Sequence, residues 1–276
     1  MEKLPNSVNS KSKILLVGID GLLLDRAIDS GKAKTLDSLR NQGFFTRNKV
    51  DLPTYSGPSW STYLTGKSIE THNVLSNNFT DHRLDEVPDF LSIAADLEPG
   101  VKTYAAAGWL PLVQPDGIGP VIRHRPHKIE SNEHILFTRD GDTHGYLKID
   151  YEVHEHAKET LKNFAPDFSF VYFCSVDEAG HEYGAIEAPY FDAVERVDNY
   201  LDSLHKVITE RAKNEGEPWL LVVITDHGHR DEGGHGGDSE QERASFVISV
   251  GIGRKNPNWP NEIHPKELVG LILNER

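Results

Sequence analysis

The chain has 276 residues, with 43 acidic against 29 basic side chains and a formal net charge of −14. A chain of this length buries a substantial core without disulfide or metal staples. Its acid excess excludes a general nucleic-acid binder and disfavours an anionic membrane surface, because both need Lys and Arg against phosphate. The single cysteine, Cys174, excludes an intramolecular disulfide framework and suits a reducing compartment.

The polar leader, with Lys3, Lys11 and Lys13, runs into an apolar stretch over residues 14–19 that is too short for a signal-peptide core. No segment approaches the roughly 18 consecutive apolar residues of a membrane span. The expectation is a cytoplasmic protein that engages neither membrane nor nucleic acid.

Residues 14–19 also read as the first buried strand, a continuous apolar run closed by Asp20. Residues 34–42 predict a helix stopped by Gly43. Within residues 53–66, Pro58 fits the first position of a helix and Gly66 its stop, which puts Ser56 and the Gly57 amide just before its N-terminus. Residues 101–105 read as a weaker strand. Residues 110–149 are irregular and rich in Pro and Gly, and include the basic patch of Arg123, Arg125 and Lys128; they read as a cap-like insertion over the sheet.

Strands follow over residues 168–173, 219–224 and 246–250. Between the first two, residues 190–213 carry Phe191, Val194, Val197, Leu201, Leu204 and Ile208 at helical spacing. Residues 265–273 read as a closing helix. Strands alternating with helices predict one α/β domain over residues 1–276, with a mostly parallel open sheet covered by helices on both faces.

The three strongest strands each lead into an aspartate: Asp20, Asp177 and Asp226. Sites in open α/β sheets form outside the carboxyl ends of the strands, so these carboxylates are expected to converge although they are far apart in sequence. Each has histidines near it. Asp177 and His181 form an i, i+4 pair, and Asp226 is followed by His227, His229 and His235 in a run of glycines that lets the backbone bend tightly. Mixed Asp and His ligands suit zinc, with manganese or iron as alternatives. The set Asp20, Asp177, His181, Asp226, His227 and His235 is large enough for two metals.

These segments resemble, in order, the motifs of the alkaline phosphatase superfamily, and most closely its type I phosphodiesterase/nucleotide pyrophosphatase branch. The match runs through Gly18-Ile19-Asp20-Gly21, the segment ending in Leu64-Thr65-Gly66, Thr71-His72-Asn73-Val74, Val176-Asp177-Glu178-Ala179-Gly180-His181, Thr225-Asp226-His227-Gly228 and Gly234-His235-Gly236.

The resemblance implies an alkaline phosphatase-like fold and two zinc ions, one on Asp20, Ser56, Asp226 and His227 and the other on Asp177, His181 and His235. It also implies hydrolysis of a small-molecule phosphate ester or nucleotide through a phosphoserine on Ser56. On this reading Gly57, Ser59 and Trp60 contact substrate, Trp60 by stacking, and the basic patch is the candidate for the far end of the ester. A phosphomonoesterase, a phosphonate hydrolase and a non-catalytic metal-containing phosphate-binding protein are the alternatives.

Overall fold

A computed structural model describes residues 11–276; the part of the polar leader that contains Lys3 lies outside the described residues. The chain begins with β1 (Lys13–Ile19), α1 (Leu24–Asp29), α2 (Lys34–Gln42), β2 (Phe44–Lys49), α3 (Ser56–Thr65), α4 (Ile69–His72) and α5 (Phe90–Leu97). It continues through β3 (Thr103–Ala107), α6 (Leu110–Val113), α7 (Pro126–Glu130), β4 (His134–Thr138), α8 (Gly141–His144) and α9 (Tyr146–Asn163). The last part holds β5 (Phe168–Phe173), α10 (Ser175–Tyr183), α11 (Ala188–Glu215), β6 (Trp219–Ile224), β7 (Ala244–Ile252), a 3₁₀ turn (Pro265–Glu267) and α12 (Leu268–Leu273). Among these no helix is long and apolar enough to cross a membrane.

The strands form one sheet of seven in the order β2-β7-β6-β1-β5-β3-β4. Five run parallel from β6 to β4, and β7 is antiparallel to both β6 and β2. The three central strands are apolar throughout because both of their faces are covered. On one face Leu15 and Val17 meet Val194, Val197, Leu201, Leu204 and Ile208 of α11, the stripe that the helical spacing predicts. On the other, Leu16, Phe170 and Tyr172 pack with Trp60, Tyr63 and Phe90.

Register then sets the site. Ile19 pairs with Phe173 and Gly18 with Ile224, so β1, β5 and β6 end level and the residues that follow them emerge along one edge.

Residues 110–149 depart from a cap over the sheet. Residues 134–138 are its edge strand, with His134 in register with Thr103, Ile135 and Phe137 packed on the core, and the His134 ring hydrogen-bonded to Thr103 Oγ1 at 2.8 Å. The irregular, Pro-rich approach to this strand hides it in the sequence. The other edge strand, β2, is half polar, as an edge with one solvated face is.

Helix α3 begins at Ser56, so Ser56 and Gly57 lie in its first turn rather than before it; Gly66, at φ 67°, ends it. His72 ties α3 to α4. Its Nδ1 accepts from the Val74 amide (3.1 Å), which leaves Nε2–H to donate to Thr62 Oγ1 (3.0 Å), and the Thr62 hydroxyl donates to the Pro58 carbonyl. The ring is therefore neutral, and its burial pushes its pKa down to about 4, as burial does for His134.

Both imidazoles stay neutral in the fold but protonate near pH 6.5 once unfolded. The unfolded chain thus binds more protons between about pH 6.5 and 4, and stability is predicted to fall as pH drops through that window. Urea midpoints measured across it should change less in His72→Gln than in the parent; an identical loss in both would exclude His72 as a contributor.

Candidate active site

Asp20 follows β1 directly, Asp177 stands in the first turn of α10 immediately after β5, and Asp226 follows β6 by one residue. The level strand ends bring all three to one cleft edge, and the glycine-rich loop after Asp226 folds its histidines back over them. Two glycines make room. A Cβ on Gly21, at φ 66°, would stand 2.7 Å from His229 Nε2 and 2.8 Å from Asp177 Oδ1, and one on Gly180 would stand 2.7 Å from the same nitrogen.

In the first cluster Asp20 Oδ2 accepts from Trp60 Nε1 (2.9 Å) and Tyr172 Oη (2.5 Å), and Asp226 Oδ1 accepts from the Gly21 amide (3.3 Å). Their other oxygens, Asp20 Oδ1 and Asp226 Oδ2, are buried without a hydrogen-bond partner. They lie 3.3 and 3.2 Å from His227 Nε2. His227 Nδ1 can only donate to the Gly228 carbonyl (3.1 Å), so Nε2 turns a lone pair inward. Ser56 Oγ sits 3.1 Å from that nitrogen.

The second cluster is built on Asp177. His229 Nε2 donates to its Oδ1 at 2.7 Å, His235 Nε2 lies 3.6 Å from Oδ1, and His181 Nε2 lies 3.5 Å from Oδ2. His235 Nδ1 donates to the Thr54 carbonyl (2.7 Å), so its Nε2 also points a lone pair inward, 2.9 Å from His181 Nε2.

Two unpartnered carboxylate oxygens, inward imidazole lone pairs and two ring nitrogens at hydrogen-bond distance make a donor set that fits divalent cations. Three groups bring their ligand atoms within 4.8 Å of one another: Asp20, Asp226 and His227; Asp177, His227 and His235; and Asp177, His181 and His229. All six Asp and His ligands expected from the sequence converge, with Ser56 among them, and His229 joins them.

Charge is what the protein alone leaves unbalanced. Burial, then repulsion from Asp177, pushes Asp20 up to about 8, and burial with repulsion from Asp20 and Asp177 pushes Asp226 well above the carboxylate range. Burial likewise holds His227 well below the usual imidazole value. Asp177 is the exception: burial opposes its charge, but the hydrogen bond and charge of His229, with His227 and His235 nearby, hold it below the usual range. Among the described residues no Lys or Arg lines the cleft, whose volume is about 460 Å³.

Four sequence expectations are corrected. Trp60 is fully buried, packed between Phe170 and Tyr172 with its indole on Asp20, so it braces a ligand and cannot stack on substrate. The Gly57 amide is not open to substrate, because it donates to Asn77 Oδ1 at 2.7 Å. The basic patch is spent on structure: Arg123 binds the carbonyls of Leu84 and Asp85, Arg125 pairs with Asp96, and Lys128 with Glu133. Ser59 is buried with Oγ unpartnered and does not line the cleft.

Sequence reasoning missed Asn77 and Asp150, and left Tyr172 inside a strand. Asn77 lines the cleft beside Ser56, from a polar loop with no periodic signal. Asp150, buried on α9, caps α10 by accepting from the amides of Cys174 and Ser175. Tyr172 was the findable one: it is the last polar side chain on the buried face of a strand that ends at the site.

The fold is alkaline phosphatase-like. The chain belongs to the type I phosphodiesterase / nucleotide pyrophosphatase family, whose sequence profile matches residues 14–238. The chain is 34% identical over 243 residues to the GPI ethanolamine phosphate transferase 3 catalytic subunit of Mus musculus, covering 83% of this chain and 19% of that protein. It is 26% identical over 233 residues to ectonucleotide pyrophosphatase/phosphodiesterase family member 7 of Mus musculus, covering 80% of this chain and 51% of that one. The chain thus spans about a fifth and about half of these relatives. Among solved structures, phosphonoacetate hydrolase from Sinorhizobium meliloti 1021 in complex with phosphonoacetate superposes with a TM-score of 0.67 at 13% identity, covering 96% of both chains.

Two predictions follow from the unbalanced charge and the bracing of Asp20. In chelator, Asp20 is protonated in the fold up to about pH 8 but ionised above its ordinary value of 3.8 when unfolded, so stability falls as pH rises toward and through 8. Between about pH 7 and 8 His72 and His134 are largely neutral in both states and do not obscure this. The melting temperature should decline across that window in the parent, less so in Asp20→Asn, and a divalent cation should abolish the decline; equal slopes in parent and variant would contradict it. Separately, Trp60→Phe keeps the packing but removes the hydrogen bond to Asp20, and is expected to weaken metal affinity about 10- to 100-fold by equilibrium dialysis.

Proposed function

We propose that the chain is a metal-dependent hydrolase of phosphoric esters, phosphodiesters above all, acting through a phosphoserine on Ser56. The observation that carries this reading is the place of Ser56 Oγ, in the first turn of α3 and 3.1 Å from the inward nitrogen of His227 beside Asp20 and Asp226. The names of the curated relatives, a phosphate transferase and a pyrophosphatase/phosphodiesterase, agree with chemistry at a phosphodiester.

Asp20, Asp226, His227 and Ser56 would hold one divalent cation, and Asp177, His181 and His235 the other; zinc suits these donors best, with manganese or iron as alternatives. When bound, the cations supply positive charge at the attacking and departing oxygens.

The chain's own contribution is position. The positive end of the α3 dipole favours negative charge gathering on Ser56 Oγ. Asn77, anchored through Oδ1 to the Gly57 amide, keeps both Nδ2 hydrogens for a non-bridging oxygen, a donor held in place before the reaction begins. Ser56 Oγ bonds to phosphorus and releases its proton as the bond to the departing alcohol breaks on the far side, and the alcohol takes up a proton. Water then bonds to phosphorus as the P–Oγ bond breaks and its proton passes to Oγ, which restores the Ser56 hydroxyl and frees the phosphate monoester.

Ser56→Ala is expected to lower turnover of bis(p-nitrophenyl) phosphate by about 10³-fold or more, and Asn77→Ala by about 10²-fold. Parent protein acid-quenched during that turnover should carry one p-nitrophenylphosphoryl group on Ser56 by mass spectrometry. Full activity in Ser56→Ala would overturn the mechanism.

A further inference from the structure

Among the described residues five carboxylate–imidazole approaches occur in the site, and one differs from the rest. His227 Nε2 stands 3.3 and 3.2 Å from Asp20 and Asp226, and the Nε2 atoms of His181 and His235 stand 3.5 and 3.6 Å from Asp177. Two donors on one tetrahedral zinc, each roughly 2.0–2.1 Å from it, are about 3.3 Å apart, so these four pairs are spaced to share a cation. His229 Nε2 lies only 2.7 Å from Asp177 Oδ1. That is a hydrogen-bond distance, too short for both atoms to ligate one ion.

The second ring nitrogens separate the histidines in the same way. A ligating histidine almost always donates its other ring N–H to a carbonyl, a carboxylate or water, which fixes the tautomer that turns a lone pair to the metal. His227 Nδ1 meets the Gly228 carbonyl in this way and His235 Nδ1 the Thr54 carbonyl. His229 Nδ1 is buried with no such partner. Because a carboxylate oxygen only accepts, the hydrogen bond to Asp177 puts the His229 proton on Nε2, and a protonated ring nitrogen has no lone pair for a metal. The ring is also held where it stands. It is fully buried, Tyr190 packs against it edge-on, and the bare backbones of Gly21 and Gly180 lie along its Nε2 edge, where a Cβ on either would collide with it.

We infer that His229 is the positioning residue of Asp177 rather than a cation ligand: its Nε2–H holds Oδ1, which leaves Oδ2, 3.5 Å from His181 Nε2, for the second cation. The inference rests on the reading of the two clusters as cation sites and gives a role to the one buried histidine which that reading leaves unassigned. With His229 withheld, the protein supplies three donors, Asp177, His181 and His235, and all three line the cleft. Three protein donors leave a position for substrate, as catalytic zinc sites do, whereas a fourth would close the site as structural ones are closed.

Long-range proton–nitrogen correlation NMR of the imidazoles tests this on the chelator-stripped and the zinc-loaded protein, with His229 assigned by the signal missing in His229→Gln. His229 is expected to keep its Nε2 proton in both states, while zinc shifts the Nε2 resonances of His181, His227 and His235. A glutamine amide still donates to Asp177, so His229→Gln is expected to bind zinc at both sites within about threefold of the parent affinities, and His229→Leu to lose about 10- to 100-fold at one site alone. Loss of the His229 Nε2 proton on zinc binding, or two variants that behave alike, overturns the positioning role while leaving the cation reading intact. Imidazoles that zinc leaves unshifted sink the cation reading and the inference with it.

Discussion

Two carboxylates, Asp20 and Asp226, are buried at adjoining strand ends with one oxygen of each turned toward the same imidazole nitrogen, and among the described residues no Lys or Arg pairs with either. Burying ionised carboxylates together is expensive unless a positive charge joins them. Much of the surrounding structure holds them in place. Trp60 and Tyr172 grip the back of Asp20, and the Gly21 amide grips Asp226. The turn between them is pinned in its own right: Thr225 Oγ1 accepts from the Leu22 amide, and Tyr190, reaching over from α11, accepts from the Leu23 amide and donates to the Gly21 carbonyl. The long helix that covers the sheet is thereby also a brace for the site.

A second set of contacts joins the start of α3, where Ser56 stands, to the histidine loop. Thr54, two residues before Ser56, accepts from His235 Nδ1 through its carbonyl and from the Gly236 amide through its hydroxyl, which donates in turn to the Gly237 carbonyl. Glu242 closes the same loop by accepting from the amides of Gly237 and Ser239 and from the Ser239 hydroxyl. Displacing the loop would therefore move His235 and the start of α3 together. Both clusters and the nucleophile behave as one unit that spans most of the chain, which suits a reaction that needs groups from β1, α3, α10 and the loop after β6 within a few ångströms.

What the sequence made legible follows from how strongly each feature is written in local pattern. The three central strands, helix α2 and the buried stripe of α11 are continuous or periodic apolar signals, and each lies where that signal puts it. The convergence of the three aspartates was readable because each follows a strand and level strand ends share an edge. The edge strands were not readable, because half-polar β2 and β4 behind its Pro-rich approach lack a two-sided apolar run. Roles decided by partners were lost for a related reason. Trp60 and Gly57 lie beside the nucleophile in sequence, yet whether an indole faces substrate or a buried carboxylate, and whether an amide is free or taken by Asn77, depends on residues brought in from elsewhere.

The central claim is that the two Asp/His clusters are separate divalent-cation sites. Calorimetric titration of the chelator-stripped protein with zinc tests it most directly, alongside Asp20→Asn and Asp177→Asn. The account predicts two ions per chain in the parent and one in each variant. A parent that takes up none, or variants that both retain two, would contradict it.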